Sequence, residues 1–196
     1  MQMRTLGGSG LAVSKVAFGA WAIGGWQWGG SDDDAAVAAL RAALDAGMTS
    51  IDTAPVYGFG RSERVVGRAL AGHRERAQVL TKVGLVWEEE RGEFFFEGPD
   101  QDGVTRRVYK NSRPQSIRRE VEASLTRLGL ETLDLVQIHW PDATTPLAES
   151  LGALAELRAQ GKLRAIGVSN FSSEQLGQAV GALGDVPLAS TQERYS

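Results

Sequence analysis

MTSIDTAPVYGFGRSE, Met48 to Glu63, joins a short apolar run to a carboxylate and, five residues later, to a tyrosine. Ile51-Asp52-Thr53 reads as the end of a buried strand, because an aliphatic residue precedes an acid just before Pro55 and Gly58 break the pattern. Asp52 then falls at a strand exit, and Tyr57 on the loop beyond it. Alone, the pair has a plain alternative: Asp often caps a loop and Tyr often roofs a core. What decides is whether other strands deliver chemistry to the same place.

Upstream, Met3 to Val13 reads as a hairpin turning on Gly7-Gly8-Ser9-Gly10. Ser14 to Phe18 is expected as the first apolar strand, ending in Gly19-Ala20-Trp21. Trp21, Trp26 and Trp28 follow within eight residues, and either cover a core edge or wall an apolar pocket. From Ser31, read as an N-cap, the period changes to 3.6: Val37, Leu40 and Leu44 share a face and Gly47 closes the helix.

Downstream of the opening stretch, a helix is expected from about Ser62 to Leu70, and then a strand, Val79 to Val83, that contains Lys82. Residues 85–111 lack periodicity, carry Phe94-Phe95-Phe96, and are expected to fold as a small hairpin or flap over the site. Ser112 and Gln115 match a capping box opening a helix to Leu128. The strand Leu133–Ile138 ends in His139-Trp140, and Leu163–Val168 ends in Ser169-Asn170. A second capping box, Ser172 with Gln175, precedes a last helix, and Leu188 to Thr191 ends at Gln192.

Strands alternating with helices imply a parallel sheet with helical crossovers. An open doubly wound sheet gathers ligand groups at one switch point, whereas a β/α barrel lets every strand contribute at its C-terminal end. Asp52, Lys82, His139, Ser169 with Asn170, and Gln192 stand at five different strand ends, which favours the barrel. The expectation is a single TIM-type (β/α)8 unit over 1–196, incomplete at about six βα units, with its hairpin at 3–13.

The composition excludes several classes. The chain of 196 residues has no cysteine and two histidines, so thiolate and multi-histidine metal sites are ruled out and no metal is expected. A net charge of -3 argues against a nucleic-acid partner. No apolar run approaches the ~18 residues of a membrane helix, and the start lacks a signal-peptide pattern; the expected location is the cytoplasm. A small molecule is the expected partner.

An acid, a lysine, a tyrosine and a histidine at one barrel mouth point to proton donation to a carbonyl oxygen. An ammonium ~4 Å from a phenol oxygen stabilises the phenolate by about 4 kcal/mol at an effective dielectric of ~20, before desolvation offsets part of it. Lys82 is therefore expected beside Tyr57 as its acidifier, with Asp52 as counterion and His139 directing the carbonyl.

IDTAPVYGFGRSE, LTKVG, LVQIHW, IGVSNF and the terminal QERYS resemble, in order and spacing, the aldo-keto reductases. That resemblance implies an NADPH-dependent carbonyl reductase in which Tyr57 donates the proton and Asp52, Lys82 and His139 complete a tetrad. It implies a cofactor site of Gly19, Ala20, Trp21, Asp52, Ser169, Asn170 and Gln192. The substrate pocket is expected from Trp21, Trp26, Trp28, Tyr57, Trp87, His139 and Trp140.

The family completes eight strand and helix units, and six are present here. The missing units imply weak cofactor binding and unpaired edge strands through which copies self-associate. Two further roles compete: a docking or regulatory subunit of the same fold, and a lyase or hydrolase using Asp52 and His139.

Overall fold

The computed structural model describes residues 1–25, 28 and 30–194. Strands β1 (Met3–Thr5) and β2 (Ala12–Ser14) form an antiparallel hairpin, followed by β3 (Ala17–Gly19), α1 (Asp33–Asp45), β4 (Ser50–Asp52), α2 (Arg61–Leu70) and β5 (Gln78–Val83). A three-stranded insertion, β6 (Leu85–Val86), β7 (Glu93–Pro99) and β8 (Thr105–Lys110), leads to α3 (Pro114–Leu128). Then come β9 (Leu133–Ile138), α4 (Leu147–Ala159), β10 (Leu163–Ser169), α5 (Ser173–Leu183) and β11 (Leu188–Gln192).

Six strands pair in parallel in the order β3-β4-β5-β9-β10-β11, curling into an incomplete barrel with the helices outside. Strand periodicity of two sorts the side chains. On β5, Val79 and Val83 face the helices and join the main apolar core with Ile117, Val121 and Leu154, whereas Leu80 and Lys82 face the interior. Leu80, Leu135, Ala165 and Ala189 make an apolar floor inside the curl, closed from below by Leu11 and Val13 of the hairpin. Polar interior side chains lie above that floor, toward the strands' C-terminal ends.

Ser14 to Phe18 is not one strand: its middle turns outward, with Val16 exposed, and splits into β2 and β3. The cap of α1 is Asp32, whose carboxylate accepts from the Ala35 N–H at 2.8 Å, not Ser31. The Ser172–Gln175 capping box forms on α5. The Ser112–Gln115 one does not, because Pro114 holds the preceding Arg113 extended (φ -62, ψ 145) and the helix starts only at Pro114. Ser112 Oγ is buried without a hydrogen-bond partner among the described residues, facing the space left by Gly84. The 85–111 segment is the expected flap, a sheet in the order β6-β8-β7.

Candidate active site

Each parallel strand brings its last residues to the same rim. Asp52 ends β4, Lys82 is the penultimate residue of β5, His139 follows β9, Ser169 ends β10 with Asn170 next, and Gln192 ends β11. Tyr57 rides on the loop after β4, which is pressed onto the turn following β3. A Cβ on Gly24 would lie 2.6 Å from the Gly58 nitrogen, so the two backbones touch where only glycine fits. Ser62 secures the same loop, donating to the Ala20 carbonyl at 2.8 Å and pairing with Thr53 Oγ1 at 2.9 Å.

The Lys82 ammonium is the centre of this arrangement. Its Nζ donates to Asp52 Oδ1 at 2.8 Å, Asp52 Oδ2 at 3.0 Å, the Thr53 carbonyl at 3.0 Å and the Tyr57 hydroxyl at 3.2 Å. Because the ammonium has only hydrogens to offer, Tyr57 Oη accepts, and its own proton is left free to point elsewhere. Burial alone would pull the Lys82 pKa down; Asp52 and Tyr57 overcome it, so the value lies above the ordinary one and the amine stays charged.

Tyr57 departs from expectation. Burial raises its pKa more than the Lys82 charge lowers it, and Asp52 adds to the rise. The ammonium is close, as expected, but its field is shared with a carboxylate and the phenol is desolvated. Tyr57 is therefore a neutral, proton-bearing phenol near pH 7. His139 is buried, and desolvation followed by the Lys82 charge holds it well below the ordinary imidazole range, leaving it neutral with one donor and one acceptor nitrogen. Its ring meets Tyr57 edge-on at 5.8 Å.

The other side of the rim is an amide network. Asn170, in the left-handed region at φ 62, donates through Nδ2 to the His139 carbonyl at 2.9 Å and to Ser169 Oγ at 3.0 Å, and Ser169 donates to the Gln192 carbonyl at 2.8 Å. Gln137, which sequence reasoning passed over, donates to Gln192 Oε1 at 3.0 Å and accepts from Ser190 at 3.1 Å. Gly167 makes room: a Cβ there would lie 2.3 Å from Ser190 Oγ and 3.0 Å from Gln137 Cγ. Asn170 Oδ1 and Gln192 Nε2 keep capacity for an acceptor and a donor contact. That pairing is complementary to a primary carboxamide, so these residues fit a nicotinamide.

Between the two sides lies a cavity of about 460 Å³, lined by Trp21, Gly24, Val56, Tyr57, Gly58, Leu85, Phe95, Phe96, His139, Trp140 and Asn170. Trp28 reaches it only indirectly, edge-on to Trp21 at 5.8 Å. Trp87 is a correction: it packs on Phe59 at 5.5 Å and lines a separate polar recess with Arg64 and Asp102, because β6 turns it away from the cavity. Trp26 and the last two residues of QERYS lie outside the described residues. Gly19 and Ala20 precede Trp21, and among the described residues nothing stands within 4 Å of where a Gly19 Cβ would be.

A carboxylate, an ammonium, a phenol and a neutral imidazole thus stand together on the C-terminal rim of a parallel β/α sheet, where barrel folds gather their polar side chains. The sequence pattern of the aldo/keto reductase family matches residues 15–196. Aldo-keto reductase YhdN of Bacillus subtilis (strain 168) is 41% identical over 178 residues, 90% of this chain and 49% of its own length. The NADH-specific methylglyoxal reductase of Escherichia coli (strain K12) is 41% identical over 182 residues, 90% of this chain and 54% of its own. A probable voltage-gated potassium channel subunit beta of Oryza sativa subsp. japonica is 35% identical, over 91% of this chain and 49% of its own. The solved glycerol dehydrogenase AKR11B4 from Gluconobacter oxydans superposes with a TM-score of 0.81 at 50% identity, covering 97% of this chain and 54% of that one. The chain belongs to the aldo/keto reductase family, and it spans about half the length of the curated relatives it matches.

Proposed function

We propose that this chain carries the proton-transfer half of an NADPH-dependent carbonyl reductase, converting an aldehyde or ketone to an alcohol. The observation that carries the reading is the Lys82 ammonium held between Asp52 and the Tyr57 hydroxyl, which leaves the phenol proton free at the cavity wall. A reduced nicotinamide, when bound, supplies hydride to the carbonyl carbon. Ser169, Asn170 and Gln192 would hold its carboxamide, with Gln137 fixing Gln192 and with Gly19, Ala20, Trp21 and Asp52 on the adjoining rim.

In this reading Tyr57 gives its proton to the oxygen that becomes the alcohol, and Lys82 stabilises the negative charge left on the phenol oxygen. Asp52 keeps the amine charged and in place. Neutral His139 donates a hydrogen bond to the carbonyl oxygen and sets its approach. NADPH is the proposed cofactor on family resemblance; the NADH-specific relative makes NADH the comparison to run. The proposed setting is the cytoplasm, and no described helix is long and apolar enough to cross a membrane.

The test is nicotinamide oxidation with a panel of aldehydes, run with NADPH and NADH on the wild-type chain and on Tyr57→Phe. Turnover abolished by Tyr57→Phe is expected. Turnover that survives it removes Tyr57 from the role. The channel-subunit relative supports a second reading, a docking module of the same fold, and background oxidation throughout the panel would favour it. Among the described residues, strands β3 and β11 each pair with one neighbour, which supports self-association through the sheet edges; sedimentation velocity across a concentration series tests this.

A further inference from the structure

The insertion between β5 and α3 is tied to the site at both ends. At its root the Asn111 N–H donates to the Gly84 carbonyl at 3.1 Å, two residues beyond Lys82. At its tip Gln101 Nε2 donates to the Gly58 carbonyl at 3.4 Å, one residue beyond Tyr57. The flap therefore spans the cavity and reaches the loop that carries the phenol.

Its inner face is set by a break in strand register. Phe94 pairs with Tyr109 and Phe96 with the next residue, Val108, so Phe95 is an extra residue inserted in β7. In an unbroken strand, neighbouring side chains point to opposite faces; a β-bulge re-aims one of them. Phe94 goes outward, exposed and edge-on to Tyr109, while Phe95 and Phe96 both line the cavity. Phe95 contacts the Trp140 ring at 5.3 Å and the Phe96 ring at 5.5 Å, with the Lys110 ammonium 5.0 Å from its centroid. The cavity thus has polar atoms at the Tyr57, His139 and Asn170 end, and aromatic and aliphatic walls at the other.

Resting on the reductase reading above, we propose that the bulged flap is the specificity element of this chain and makes a subsite for carbonyl compounds carrying a planar aromatic group. The carbonyl sits at Tyr57 and His139, and the ring packs against Phe95, Phe96 and Trp140. Small hydroxylated carbonyls fill the polar end and leave the aromatic wall facing water.

Two readouts on the full chain test this. One is binding of benzyl alcohol, an unreactive probe for the reductive direction, followed by tryptophan fluorescence and ligand-observed NMR without cofactor. The other is kcat/KM for benzaldehyde against glyceraldehyde with NADPH. The Phe95→Ala/Phe96→Ala double variant is expected to weaken benzyl alcohol binding by about tenfold or more, because two ring contacts are lost. It is expected to lower kcat/KM for benzaldehyde by about tenfold more than for glyceraldehyde, since the polar end is untouched. Phe94→Ala, altered on the outer face, matches the wild type. The Phe95→Leu/Phe96→Leu pair preserves apolar volume and is expected to lose part of the aromatic affinity should the alanine pair fail to fold. Equal probe binding by wild type and the Phe95/Phe96 variants, or a glyceraldehyde preference unchanged by them, overturns the subsite. Flap-dependent binding without turnover of any aldehyde supports the subsite and overturns the reductase reading.

Discussion

Replacing Lys82 with methionine removes the cation from the middle of the site while keeping most of the stem's volume. In the wild type the ammonium lies 3.2 Å from the Tyr57 hydroxyl. At that separation and an effective dielectric of ~20, it stabilises a phenolate by about 5 kcal/mol. Since each 1.4 kcal/mol is about tenfold in an ionisation constant, complete loss amounts to roughly four decades. Water entering the vacated space returns part of that. Tyr57 is expected to become harder to ionise by at least about one decade. The measurement is tyrosinate absorbance over the alkaline range. The chain has three tyrosines, so a parallel titration of Tyr57→Phe isolates the one of interest. Asp52→Asn is the counterpart, because it removes an anion that opposes the phenolate and should ease Tyr57 ionisation. A Tyr57 curve unmoved by Lys82→Met, or moved in the same direction by both variants, would refute the coupling.

Glu120, buried on α3, has its carboxyl pushed up to about 8 by burial, against the Gly84 N–H at 2.8 Å and the Ser116 hydroxyl at 3.2 Å, with Glu88 raising it further and Arg119 lowering it. The folded chain thus prefers the protonated acid: this stability is complete below the ordinary 4.5 and is lost as pH rises through about 8, by up to roughly 5 kcal/mol. Glu120→Gln is expected to flatten that slope in urea melts. Gly24→Ala puts a methyl 2.7 Å from the Tyr57 carbonyl carbon and is expected to cost about 1–3 kcal/mol, read by thermal melting, and to reduce turnover by displacing the phenol. Ser172→Ala, which removes a formed capping box, is expected to cost about 1 kcal/mol, whereas Ser112→Ala leaves the melting temperature unchanged or raises it.

Asp52, Lys82, His139 and Ser169–Asn170 are legible in the sequence because each is a polar interruption near the end of an aliphatic run. Parallel strands carry such residues to one rim whatever the loops between them do. Gln137 has the same composition signal but sits inside LVQI, where an amide looks like a packing exception; its meaning appears only when Gly167 on the neighbouring strand leaves it room. The two Ser-x-x-Gln motifs look alike on paper, and the proline inside the first one separates them. Phe95 and Phe96 defeat a period of two because an extra residue in β7 cannot be seen without its partner strand. The net direction of the Tyr57 shift is hidden from the sequence for a related reason: pairwise attraction is readable from residue types, whereas the depth of burial that outweighs it depends on the assembled walls.

The apolar plug under the barrel has a consequence for proton traffic. Leu11, Val13, Leu80, Leu135 and Ala165 form an apolar stopper on the hairpin side of Lys82, whose side chain is only 2% exposed. Hydrons from bulk solvent reach the amine from the mouth, past the phenol, and not through the base. A molecule seated over Tyr57 would stand in that path and is expected to slow the exchange of the Lys82 hydrogens.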